Sequence, residues 1–114
     1  MSNKENLIRA IEKLGIPPLY AQEHAAEPTI YLNLYIIGFD WSWHVFEANI
    51  EADDILFFGL VCGYEEELGY FRLSELESLL PYPIIIGKGR PMKFSKAKQK
   101  YGFSYKLSAE GDGK

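Results

Sequence analysis

Cysteine is nearly missing from this chain: Cys62 stands alone, which excludes an intrachain disulfide and fits a reducing compartment. Histidine is as scarce, with only His24 and His44. A zinc site draws on about four Cys, His or acidic ligands at close spacing, and no such cluster is present. No apolar run approaches the ~20 residues that span a bilayer. The first residues, Met1 to Asn6, lack the apolar core of a signal peptide. The expected location is therefore the cytoplasm, with no membrane contact. Phosphate loops, dinucleotide fingerprints and nucleophile elbows are missing as well. Repeats and low-complexity segments are also lacking. We expect a non-enzymatic protein with no catalytic residue, no metal and no cofactor.

What the chain has is aromatic and aliphatic bulk. Its 114 residues are 47% hydrophobic and 15% aromatic, enough for one domain with one modest core. Leu7, Ile8, Ile11 and Leu14 form one stripe at helical spacing and predict a helix over Asn3–Leu14. Ser2 or Asn3 caps its start, Gly15 suits its end, and Pro17 and Pro18 forbid continuation. Strict alternation predicts a strand over Thr29–Ile37. A second strand is predicted over Trp41–Ile50, with Trp41, Trp43 and Val45 on one face and Ser42, His44, Phe46 and Ala48 on the other. On such a strand His44 and Glu47 face opposite ways, which argues against an acid–base pair.

Ile55–Cys62 is apolar on both faces and reads as an inner strand, with Cys62 a small buried hydrophobe and Gly59 marking a bulge or a close neighbour. A turn over Gly63–Gly69 leads to a short fourth strand, Tyr70–Leu73. Ser74 and Glu77 form a capping box for a helix to Leu80, stopped by Pro81 and Pro83. Ile84–Ile86 reads as a short extra strand. The expected fold is α+β: a single domain over residues 1–107, with a four- to five-stranded, mostly antiparallel sheet. An N-terminal helix precedes the sheet and a short helix follows the fourth strand. Residues 108–114 are expected to be a frayed tail.

Charge is unevenly placed. From Glu47 to Glu77 there are nine acids (Glu47, Glu51, Asp53, Asp54, Glu65, Glu66, Glu67, Glu75, Glu77) against Arg72 alone. From Lys88 to Lys106 there are seven bases (Lys88, Arg90, Lys93, Lys96, Lys98, Lys100, Lys106) and no acid. Phe94, Tyr101, Phe103 and Tyr105 are interleaved with them. The bland expectation for this segment is a strand that packs its rings on the domain and turns its lysines outward.

Several blocks in order resemble an uncharacterised bacterial and mobile-element family, domain of unknown function 2958. They are Pro17–Tyr20 (PPLY), Trp41–Trp43 (WSW), Glu47, Phe57–Val61 (FFGLV), Gly63, Glu67–Phe71 (ELGYF) and Leu73–Leu76 (LSEL). The resemblance spans roughly residues 17–82. Family members often carry an aromatic where this chain has His44, and the basic segment over 88–106 is atypical. The resemblance implies a small α+β protein carried on phages and plasmids. It also implies an accessory role there, including interference with a host defence system, and no established activity.

The leading expectation is a protein-interaction module, monomer or homodimer, whose acidic surface docks a protein partner. Its candidate residues are Glu51, Asp53, Asp54, Glu65 and Glu66, with Trp43, Tyr31 and Tyr35 as apolar anchors. The first alternative is a nucleic-acid binder using Lys93, Lys96, Lys98, Lys100 and Tyr101, bases for phosphates and a ring for stacking. The second is a small enzyme of unknown reaction, which needs a concave pocket holding convergent polar groups.

Overall fold

Ser2 opens the first helix by the expected chemistry: its hydroxyl accepts from the Glu5 N–H at 3.1 Å, while the Glu5 carboxylate accepts from the Ser2 N–H at 3.0 Å. The helix ends on Gly15 at φ 67°, a left-handed conformation that glycine adopts without strain. The computed structural model describes residues 2–79 and 82–107. In order these form α1 (Asn3–Leu14), β1 (Thr29–Ile30), β2 (Leu32–Ile36), β3 (Ser42–Ile50), β4 (Ile55–Cys62) and β5 (Glu66–Arg72). Then come α2 (Leu73–Glu77), β6 (Ile84–Ile86), β7 (Met92–Lys93) and α3 (Phe94–Tyr101). Five strands make an antiparallel sheet in the order β5-β4-β3-β2-β6, and β1 pairs with β7 in a separate ribbon. The fold is the expected single-domain α+β arrangement, and no described helix is long and apolar enough to cross a membrane. The expected tail, 108–114, lies outside the described residues.

Both faces of the sheet are covered. On one face, Leu7 and Ile11 of α1 and Leu73 and Leu76 of α2 pack on Leu34, Trp43, Val45, Phe57 and Phe71. On the other, Phe94, Ala97, Phe103 and Leu107 pack on Ile30, Phe46 and Leu60. This second layer is the basic segment, and part of it is a helix where a strand was expected. Phe94, Ala97 and Tyr101 stand at helical spacing, and Gly102 at φ 77° ends the helix. The two-residue alternation of Tyr101, Phe103 and Tyr105 belongs to the extended run that follows. Glu27 holds the start of α3 through Ser95, accepting from its N–H at 3.0 Å.

Three expected elements shift. The Thr29–Ile37 strand breaks at Tyr31, sending Ile30 to the second core while Leu32, Leu34 and Ile36 serve the first. The fourth strand begins at Glu66 rather than Tyr70, because Glu66 and Glu67 pair with Cys62 and Val61. The following helix starts a residue earlier and is shorter. Its cap position is Arg72, whose N–H donates to Glu75 at 2.9 Å. Ser74 instead bonds to Asp54, and Leu80 lies outside the described residues.

The decisive irregularity is in β3. Val45 pairs with Gly59 and Glu47 with Phe58, so Phe46 is an extra residue in the ladder, a β-bulge. Beyond it the faces invert: Ala48 enters the first core, and Glu47, opposite Phe58, turns to the second. His44 and Glu47 therefore share a face, against the expectation from simple alternation. The backbone carbonyl that the bulge leaves at Phe46 accepts from the Gln22 side-chain amide at 3.0 Å. Gly59 permits the close approach, because a Cβ there would sit 1.9 Å from the His44 carbonyl oxygen.

Gly59→Ala is accordingly expected to lose more than about 3 kcal/mol of unfolding free energy. Gly69→Ala on the next strand, where a Cβ meets nothing within 4 Å, is expected to change stability by less than about 1 kcal/mol. Urea denaturation of the two variants beside the parent chain checks both values.

Candidate functional site

The acidic residues do not gather into one surface. Glu51, Asp53 and Asp54 lie in the β3–β4 turn, and Glu65 and Glu66 lie beyond the other end of β4. A strand of that length separates them by on the order of 25 Å. Several are also engaged within the chain. Glu51 forms an ion pair with Arg72. Asp54 accepts from the Ile55 N–H at 2.8 Å, the Ser74 N–H at 3.1 Å and the Ser74 hydroxyl at 2.6 Å, and so fixes the start of α2. The Ser74 hydroxyl holds the Asp54 carboxyl below its ordinary range. Glu66 accepts from the Ser104 N–H at 2.8 Å. Asp53 and Glu65 alone of the five are exposed, the other three being half-buried.

The expected apolar anchors separate too. Trp43 is 5% exposed and belongs to the first core, its ring 6.4 Å from Phe71. Tyr31 is half-buried against that same core. Register pairs Trp43 with Leu34 and Ser42 with Tyr35, which puts Tyr35 on the opposite face from Trp43. The exposed Trp43–tyrosine patch does not form.

On Tyr35's face lies a polar cavity of about 260 Å³, lined by Tyr35, Asp40, Ser42, His44, Cys62 and Glu66 among others. Inside it runs a hydrogen-bond relay. Asn33 Oδ1 lies 2.7 Å from His44 Nδ1, and Ser42 Oγ lies 3.2 Å from His44 Nε2. A carbonyl oxygen only accepts, so Nδ1 carries the proton and Nε2 accepts from the Ser42 hydroxyl. This is the order nucleophile, base, orienting group. The electrostatics suit a structural relay better. His44 is 2% exposed, and burial pushes its pKa down to about 4, so it is a weak acceptor of a transferred proton. The orienting group is a neutral amide rather than a carboxylate. Burial, and then the Glu66 charge, push the Cys62 thiol up, away from the reactive thiolate. The described residues contain no group of three or more His, Cys, Asp or Glu placed to hold a metal ion.

The basic segment is different, because its charges are not ion-paired within the described residues, although the Lys100 ammonium lies 5.5 Å from the centre of the Tyr101 ring. Among the described residues the ion pairs join Glu23 to His24 and Glu51 to Arg72, and none involves a base between 88 and 106. Lys88, Arg90, Lys96 and Lys100 line one shallow depression with Gly89, Pro91 and Met92, and no acidic residue lines it. Lys96 and Lys100 are one helical turn apart on α3, and the 88–92 loop brings Lys88 and Arg90 beside them.

Of the residues expected to bind nucleic acid, Lys96 and Lys100 are here. Lys93 lies outside the lining, its charge acting on Glu27. Lys98 is half-buried elsewhere on the helix. Tyr101 is not a free stacking platform, because its ring packs 5.4 Å from His44. Lys88 and Arg90 were visible only as members of the basic run, since nothing in spacing says that a loop will fold back onto α3. Comparison of the chain with family models, curated proteins and solved structures gives no match.

His44 gives this region a pH signature. Its folded pKa lies below the ordinary 6.5, so the unfolded chain binds the proton more readily. Stability is then full above pH 6.5 and falls as pH drops toward 4, by about 2 kcal/mol at pH 5 and about 3 kcal/mol in all. Urea midpoints at pH 7.5 and pH 5 are expected to show this loss in the parent chain. The difference between the two midpoints is expected to shrink in His44→Phe, which cannot titrate.

Proposed function

We propose that the protein is a nucleic-acid-binding accessory module that grips the phosphate backbone through Lys88, Arg90, Lys96 and Lys100. The observation that supports this most is a depression lined by four cationic side chains and no carboxylate. The chain as a whole is acidic, at −4, but charges beyond about 8–10 Å are screened at ordinary ionic strength. What a phosphate meets is the local cluster. The acidic docking surface has less support, since its residues sit at opposite ends of β4 and three of the five are bonded within the chain.

The buried rings shape this proposal. Phe94 and Phe103 are in the core and Tyr101 is packed on His44, so the segment offers charge without stacking surface. Contact with phosphates alone carries little sequence information. The module therefore binds without reading bases, which suits a coating, tethering or shielding role. The resemblance to domain of unknown function 2958 supports a mobile-element setting for such a role.

Fluorescence anisotropy with a 20-base-pair duplex of arbitrary sequence tests the proposal. Four phosphate contacts are expected to weaken binding about a hundredfold between 50 and 200 mM salt. Changing Lys88, Arg90, Lys96 and Lys100 together to Gln is expected to abolish binding while leaving the urea midpoint in place. Binding that survives this change, or that is undetectable at 50 mM salt, overturns the reading.

A further inference from the structure

A second cavity, of about 500 Å³, is lined by residues that the nucleic-acid reading does not use. Its inner wall is Phe46, Phe58 and Leu68, and Tyr20 and Tyr70 stand at its opening, 60% and 52% exposed. The rings are in contact: Phe58 and Tyr70 at 4.8 Å between centroids, Phe46 and Phe58 at 5.8 Å, Tyr20 and Tyr70 at 6.5 Å.

Into this aromatic lining the bulge turns Glu47, which is 3% exposed. Its oxygens accept from the Tyr20 N–H at 2.8 Å and the Gln22 N–H at 2.7 Å. Each oxygen has a second lone pair, and among the described residues no lysine, arginine or histidine forms an ion pair with Glu47. Glu23 adds a second carboxylate to the lining, while the cavity has no lysine or arginine. The histidine there, His24, lies 3.6 Å from Glu23 with a side chain 94% exposed, turned outward. The Tyr70 phenol is raised above its ordinary pKa, first by desolvation and then by its bond with Tyr20 and the charges of Glu47 and Glu23. The Glu47 bond also holds Tyr20 at φ 73°, a left-handed conformation that costs a tyrosine on the order of 1 kcal/mol. The fold thus keeps a tyrosine at the opening in a conformation that local sterics disfavour.

The geometry points to a binding site for an alkylated ammonium group, seated against Tyr20, Tyr70 and Phe58 with Glu47 and Glu23 supplying the counter-charge. Aromatic faces attract cations through their quadrupoles, and a methylated ammonium sheds its weakly held water more readily than an inorganic ion does. A buried carboxylate without a cationic partner is completed by such a guest. The volume lies within the range of ligand pockets and exceeds what one such headgroup fills, which leaves room for an apolar stem. The same headgroup occurs on free quaternary amines and on methylated lysine side chains of proteins.

The test is an NMR titration of the ¹⁵N-labelled full chain, following the amides of Tyr20, Gln22 and Tyr70. Choline is compared with its uncharged isostere 3,3-dimethylbutan-1-ol and with a short peptide carrying trimethyl-lysine. Saturable shifts with the cations, and affinity at least tenfold weaker for the alcohol, are expected. A peptide that binds tighter than choline assigns the guest to a protein side chain, and the reverse order assigns it to a free amine. Tyr70→Leu, at a half-exposed position, is expected to lose at least tenfold in cation affinity while its spectrum elsewhere is unchanged. Equal binding of the alcohol, or no saturable shift with any probe, overturns the proposal. Neither result bears on the Lys88–Lys100 depression, whose duplex binding is read separately.

Discussion

The contact between the His44 carbonyl and the bare backbone of Gly59 sets the phase of everything after it in β3. With a side chain at Gly59 the strands could not close at that point, and the extra residue at Phe46 would have no register to occupy. The bulge sends Glu47 out of the expected face and into reach of the Tyr20–Gln22 backbone. It returns Ala48 to the first core, where its N–H donates to the Pro17 carbonyl at 3.0 Å. Gln22 in turn bonds to Phe46 and Thr29, and the Pro28 carbonyl accepts the first N–H of α3. One close approach between two strands thus fixes the connection from α1, the start of the basic helix and the aromatic cavity.

The elements that local chemistry controls were readable from sequence. The helix over Asn3–Leu14, the inner strand β4 and the short Ile84–Ile86 strand all follow from capping, periodicity and apolar continuity. Gly59 signalled a bulge, but not the identity of the extra residue, and so not the face of Glu47. That depends on the partner strand, which periodicity within one strand does not contain. The break at Tyr31 has the same origin: Ile30 and Leu32 alternate in sequence, yet they serve cores on different sides of the sheet. In the basic segment two periods overlap, a helical one through Phe94, Ala97 and Tyr101 and a two-residue one through Tyr101, Phe103 and Tyr105. The second is the easier to see.

The sites were less readable, for a related reason. Charge counts along the chain say nothing about which ends of a strand the charges occupy. The acids fall at opposite ends of β4 because antiparallel turns alternate ends, so a run that looks dense in sequence is divided in space. The bases stay together because a loop and a single helix carry them, and a helix keeps residues four apart on one side. Tyr20, Glu47 and Tyr70, residues of three separated blocks behind the family resemblance, come together around one cavity. Their spacing along the chain carries no hint of that meeting, which needs the bulge.

The strand at the rim of the sheet carries a further consequence. Donation from Gly87 to Asn33 and from Ile37 to Pro83 fixes which groups of β6 turn inward, and leaves the N–H and C=O of Ile84 and Ile86 directed away from β2. Three consecutive isoleucines, without a charge or proline among them, form that border. The sheet is therefore open to lengthening by ladder pairing along β6, and a sixth strand added there would extend the sheet without repacking either hydrophobic layer.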